Sequence, residues 1–196
     1  MRPTRLQTIL WLLVAAAALG AGGLALVERG RPSEGALRAD FELTDHRGMV
    51  QTDEDFRGRW MLAFFGFANC PDVCPTGLAT IGDAMDALGD RSGEVQPIFV
   101  TVDPERDTPA VLAGYVPLFH PSILGLSGTP EQTARTIETF AVYRERIEDP
   151  AAPDGYTMGH TSSILLFDPE GEFVRTYEPG RPGAEIAADL ADRMGA

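Results

Sequence analysis

Lysine is absent from all 196 residues, so every basic side chain is an arginine. That absence excludes the phosphate-binding lysine of P-loop enzymes, Schiff-base chemistry and any lysine nucleophile. Positive charge is scarce as well: 16 basic residues face 29 acidic ones, for a formal net charge of −13. An acidic chain of this kind lacks the clustered cations that nucleic acid demands, and no nucleic-acid partner is expected. Reactive side chains are few, with two cysteines and three histidines. What the chain does have is an uneven spread of apolar residues.

Residues 9–27, from Ile9 to Val27, contain no charge, and these 19 positions nearly match the thickness of a bilayer core. Arg2 and Arg5 precede the run. Ala18-Leu19-Gly20 offers the small residues of a signal-peptide cleavage site, which is the rival reading. An uncleaved transmembrane anchor is favoured, because the apolar run continues beyond that site. Either reading exports the remainder of the chain. Residues 28–40 contain Gly30, Pro32, Ser33 and Gly35 and read as a polar tether. The 169 residues after Val27 hold all 29 acids and 14 arginines, a charge of −15, and suffice for one compact core.

The expected domain spans 41–196. Phe41-Glu42-Leu43 and Met49-Val50 flank the turn Asp45-His46-Arg47-Gly48 and predict a short hairpin. Trp60 to Phe67 is a continuous apolar run, as a strand covered on both faces requires. A helix is predicted from about Thr76 to Leu88, with Leu78, Ile81, Met85 and Leu88 on one face. Val95 to Val102 reads as the next buried strand, and Thr108-Pro109 starts a helix to about Val116. Ile123 to Leu126 is a short strand, and Thr129-Pro130-Glu131-Gln132 a capping-box start for a helix through Val142. Arg144 to Gly159 reads as a long loop. Ser162 to Phe167 and Glu172 to Tyr177 predict a hairpin, and 184–193 a last helix. This order gives an α/β fold, a thioredoxin-like mixed sheet flanked by helices, behind the N-terminal transmembrane anchor.

Cys70-Pro71-Asp72-Val73-Cys74 sits where the Trp60–Phe67 strand hands over to its helix. Four-residue spacing at a helix start turns both sulfurs to one side, and the helix dipole favours thiolate over thiol. Such a pair forms either a disulfide or a soft metal site, with Cu(I) and Zn(II) the leading ions. A purely stabilising disulfide is disfavoured, because closing so short a loop removes little denatured-state entropy. The spacing is one residue longer than that of C-x-x-C dithiol oxidoreductases.

The segment Phe65 to Thr76, containing Cys-Pro-Asp-Val-Cys-Pro, resembles the signature of the Sco/SenC family. Val102-Asp103-Pro104-Glu105-Arg106-Asp107-Thr108-Pro109 resembles its second motif, and Gly159-His160-Thr161-Ser162 with Asp168-Pro169-Glu170-Gly171 its third. Ala68-Asn69 departs from the Thr-x pair that relatives often carry before the first cysteine. The resemblance implies a membrane-tethered, thioredoxin-like copper metallochaperone that helps assemble the CuA centre of cytochrome c oxidase. It makes Cys70 and Cys74 the thiolate ligands, able also to form a redox disulfide, and His160 the third ligand. Its implied partners are cytochrome c oxidase subunit II, other copper chaperones and a thioredoxin-like reductant. The implied location is the bacterial inner membrane, single-pass, with the soluble domain facing the periplasm. No turnover chemistry is expected, so no residue is assigned as catalytic. Two alternatives stay open: a thiol–disulfide reductase acting on the cysteines of the CuA subunit, and a peroxiredoxin-like thiol enzyme.

Other candidates are weaker. Asp72 reads equally as a helix-start residue and as an outer-sphere or weak Cu(II) ligand. Asp103 and Asp107, flanking Arg106, read as local structure, and Met158 as a space-filling residue. His120 reads as structural at a helix end, and His46 as an exposed turn residue.

Overall fold

A computed structural model describes residues 37–195. The expected anchor at 9–27 and the tether up to residue 36 lie outside the described residues. Among the described residues no helix is long and apolar enough to cross a membrane. The folded unit begins at Leu37, within the stretch read as tether. Ala39 is buried and donates its N–H to the Gly171 carbonyl at 3.0 Å, so the chain joins the domain before residue 41.

Among the described residues the domain contains nine strands and four α-helices: β1 Glu42–Asp45, β2 Val50–Thr52, β3 Trp60–Gly66, α1 Val73–Leu88, β4 Val95–Thr101, α2 Pro109–Tyr115, β5 Leu124–Ser127, α3 Pro130–Thr139, β6 Arg144–Glu148, β7 Tyr156–His160, β8 Ile164–Phe167, β9 Phe173–Tyr177 and α4 Gly183–Met194. Seven strands make one sheet in the order β2-β1-β5-β4-β3-β8-β9. Strands β3, β4 and β5 are parallel; β8 runs antiparallel to β3, and β1 antiparallel to β5. This is the mixed α/β, thioredoxin-like sheet that the order of elements predicts, and helices flank it.

The local reasons are visible in the side chains. β3 is buried along its length from Met61 to Gly66, which is why its sequence shows no polar alternation. α1 buries Leu78, Ile81, Met85 and Leu88, the four residues expected on its inner face, together with Cys74. It starts at Val73 rather than Thr76, because Pro75 falls in the first turn, where its missing N–H costs no helical bond. At Thr129 the capping box closes both ways: Thr129 Oγ1 accepts from the Gln132 N–H, and Gln132 Oε1 from the Thr129 N–H at 2.9 Å. α3 then stops at Thr139, short of Val142. Ala141 turns into the left-handed region at φ 51°, which returns Phe140 and Val142 to the core.

The long loop expected at 144–159 is a β-hairpin. β6 and β7 pair antiparallel, with Arg144 opposite His160, and form a two-stranded sheet apart from the main one. His46 is also more than an exposed turn residue: its Nδ1 accepts the Gly125 N–H at 3.0 Å, tying β1 to β5. Burial is the main influence that lowers its pKa, followed by the neighbouring Arg47.

Candidate metal centre

The site forms where β3 ends. Gly66 closes the strand and accepts the Val102 N–H at 2.8 Å. The chain then turns, with the Cys70 N–H bonding the Phe67 carbonyl at 3.2 Å, and enters α1 at Val73. Cys74 lies in the first turn of α1 and is fully buried, while Cys70, also buried, sits just ahead of the helix. A glycine in the interior of a buried sheet marks a close approach. A Cβ at Gly66 would lie 2.7 Å from Cys74 Sγ and 2.9 Å from the Phe99 ring. Only glycine leaves space there for the sulfur.

His160 arrives from the other side, at the end of β7 and just before β8, which pairs with β3. The three expected groups come together: one ligand atom each from Cys70, Cys74 and His160 lie within 4.8 Å of one another. His160 Nε2 is 3.3 Å from Cys74 Sγ. Its Nδ1 is 2.8 Å from the Thr161 carbonyl oxygen, which can only accept, so Nδ1 carries the proton. That leaves the Nε2 lone pair facing the sulfurs, the tautomer a metal ligand requires. Phe67 and Phe64 stand edge-on to the imidazole, at 5.7 and 6.4 Å between ring centroids.

Both cysteines are free thiols. A hydrogen bond from Cys74 is the largest influence on Cys70 and outweighs burial. With the backbone N–H groups of Asp72 and Cys74, it holds the Cys70 pKa down to about 4. Cys74 moves the opposite way: the bond to Cys70 and its own burial both push its pKa up. The two cysteines are pushed in opposite directions, and a metal that binds both sulfurs must displace any proton left on Cys74. Two sulfurs and one imidazole nitrogen are a soft donor set suited to Cu(I).

Cys70 and His160 line a cavity of about 350 Å³ with Phe67, Pro71, Val73 and Met158. Asp72 also borders it. Asp72 occupies the N-cap position of α1, yet its side chain caps nothing and stays exposed at the rim. Asp103 and Asp107 do more than the sequence suggested. Asp107 Oδ2 accepts the Ala68 N–H at 2.9 Å and the Thr101 hydroxyl at 2.7 Å, which anchors the loop that leads to Cys70. Asp103 pairs with Arg106 and accepts the Tyr156 hydroxyl at 3.1 Å. Met158 is buried against the same cavity. His120 Nδ1 lies 2.7 Å from Ser122 Oγ, and its Nε2 lies 3.4 Å from Asp86 Oδ1 on α1. Sequence reasoning passed over Gly66 and Tyr156. The signal for Gly66 was a glycine ending an all-apolar strand four residues before a cysteine.

The SCO1/SenC family profile matches residues 29–195. The chain belongs to the SCO1/SenC family. It is 41% identical over 193 residues to the mitochondrial SCO2 homologue of Bos taurus, covering 92% of this chain and 72% of that protein. With the mitochondrial SCO2 homologue of Homo sapiens it shares 38% over 161 residues, 81% of this chain and 60% of the other. The chain thus spans less than two thirds of the human relative's length. Among solved structures, Bradyrhizobium japonicum ScoI with copper bound is 42% identical with a TM-score of 0.74, covering 80% of this SCO1/SenC chain and 99% of that one.

Proposed function

We propose that this SCO1/SenC chain is a copper metallochaperone for the CuA centre of cytochrome c oxidase. The observation that carries the reading is the convergence of two cysteine sulfurs and a correctly protonated histidine within 4.8 Å. The copper bound in the Bradyrhizobium japonicum relative supports it. Cys70, which lines the cavity and whose pKa is lowered, meets the incoming ion first, Cys74 gives up any proton it holds to bind, and His160 Nε2 completes a three-coordinate site. Copper is cargo here, and it leaves by ligand exchange with cysteines of the acceptor, cytochrome c oxidase subunit II. Residues 9–27 hold the domain at the inner membrane, facing the periplasm, where the acceptor assembles. In that oxidising compartment a thioredoxin-like reductant must return any Cys70–Cys74 disulfide to the dithiol before the next load.

Titrating the reduced, purified chain with copper tests this. One tightly held ion per chain is expected, lost in Cys70→Ala and weakened in His160→Ala. Two free cysteines side by side, one with a lowered and one with a raised pKa, favour a second reading, a thiol–disulfide reductase. There, Cys70 attacks a disulfide of the CuA subunit, Cys74 resolves the mixed disulfide, and two electrons pass as the acceptor gains two thiols. That chemistry has no use for an imidazole ligand. Copper affinity unchanged in His160→Ala, together with brisk turnover in a dithiol assay, would overturn the metallochaperone reading in favour of the reductase.

A further inference from the structure

Side chains alternate along a strand, so Tyr156, Met158 and His160 share one face of β7. Tyr156 and Met158 are buried, so that face turns to the body of the domain. Yet β6 and β7 pair only with each other, and an isolated two-stranded hairpin is marginal in water. Strand pairing alone does not fix where His160 points.

One loop of the main domain supplies the missing attachment. Arg106 Nη1 donates to the Tyr156 carbonyl at 3.1 Å, and its guanidinium lies 3.8 Å from the Tyr156 ring centroid. The Arg146 guanidinium lies 3.6 Å from the same centroid, so two cations this close must take opposite faces of the ring. Asp103 holds both partners: it pairs with Arg106 and accepts the Tyr156 hydroxyl. The same loop carries Asp107, which grips the Ala68 N–H two residues before Cys70. A single segment, 103–107, therefore holds the approach to the cysteines with one end and the histidine strand with the other.

We propose that this loop sets the spacing between His160 and the cysteine pair, with Arg106 and Tyr156 as positioning residues for His160. The loop touches no ligand atom; it acts through the hairpin, four residues from the imidazole. Releasing it leaves the dithiol in place but loosens the third ligand. The inference rests on the copper-site reading only for what His160 ligates.

The test uses the whole purified chain with Arg106→Met, Tyr156→Leu and Tyr156→Phe. Metal-free, the His160 Nδ1–H resonance and the amide exchange of residues 156–160 report the hairpin directly. With Cu(II) as probe, nitrogen coupling in the electron paramagnetic resonance spectrum reports the imidazole. Tyr156→Phe keeps the ring between the guanidiniums and loses only the hydroxyl bond to Asp103, so its effect is expected to be smaller than that of the other two variants. Arg106→Met and Tyr156→Leu should lose the Nδ1–H resonance, exchange faster across β7, and bind Cu(II) roughly 10–100-fold more weakly without nitrogen coupling. Both variants keeping the wild-type imidazole signature would overturn the proposal. Should Arg106→Met fail to fold, Tyr156→Leu decides alone, because Tyr156 lies outside the seven-stranded sheet. Unfolding of both also overturns it, since the loop would then serve the whole fold. A wild-type chain that binds no Cu(II) defeats the copper reading, while the metal-free measurements still decide this one.

Discussion

The two halves of the metal centre are built to different standards. The cysteine half belongs to the seven-stranded sheet: Cys74 is fully buried against Gly66, and β3 beneath it is buried from Met61 onward. The histidine half rides on a separate two-stranded sheet, and all four residues of β6 after Arg144 are exposed. Local stability follows buried apolar contact, so the halves should open at different free-energy costs. On the proposed metallochaperone reading such a division is useful. The two cysteines would stay fixed, and His160 could move away without disturbing the fold.

The comparison breaks hardest at Phe64. Its side chain is fully buried, its ring lies where a Cβ on Gly77 of α1 would touch it, and it stands edge-on to His160. Phe64→Ala should cost ~3–5 kcal/mol in chemical denaturation and lower the melting temperature on the order of 10 °C. A loss under about 1 kcal/mol would mean that the cysteine half is not the rigid one.

Gly66→Ala is a smaller insult aimed at the sulfur. The added methyl meets Cys74 Sγ at 2.7 Å and the Phe99 ring at 2.9 Å, and both side chains are buried. About 1–3 kcal/mol of stability should be lost, with copper affinity falling in the same variant. Unchanged copper titration would show that Cys74 has another position from which to bind.

Acid acts on the larger half in a graded way. Burial opposes the charge of Asp45, but the Met49 N–H and the side chain and backbone of Arg47 hold its pKa below the usual carboxylate value. Asp189, also opposed by burial, is held down by Arg193, Tyr177 and Arg175. A carboxylate with a depressed folded pKa stabilises fully above its unfolded value near ~3.9 and loses that contribution as pH falls through the folded one. Denaturation midpoints should hold from neutrality to about pH 5 and fall below about pH 4. In the Asp45→Asn, Asp189→Asn double variant the acid slope should flatten; an unchanged slope would assign it to other groups.

The same division decided what could be read from sequence. The cysteine half announces itself locally: an all-apolar strand, Thr-Pro helix starts and a cysteine pair at a helix entrance each carry their own physical signature. The hairpin does not. Arg144-Glu145-Arg146-Ile147-Glu148 is charged and exposed, so burial writes no alternation into it, and its strand character comes only from pairing with β7. Pro150 and Gly155 looked like a long loop but mark only the turn between the two strands. His160 was therefore found through family motifs and not through periodicity. The span of 86 residues separating it from Cys74 is closed by sheet topology that no local window contains.

The gentlest probe acts where the hairpin meets β8. Thr161 Oγ1 accepts the Tyr143 N–H at 3.0 Å, and the Thr161 N–H returns a bond to the Tyr143 carbonyl at 3.1 Å. Thr161→Val keeps the shape and removes only the first bond, and Tyr143 is exposed enough for water to replace it. The net cost should be about 0.5–1.5 kcal/mol. If the hairpin opens on its own, that cost appears as roughly fivefold faster amide exchange across β6 and β7, while the global denaturation midpoint stays in place. The backbone carbonyl of residue 161 remains, so the His160 tautomer and the lone pair toward Cys74 are retained. A fall in the global midpoint by the full amount would instead make sheet and hairpin one cooperative unit, and His160 could then move away from the cysteines only when the cysteine half also opens.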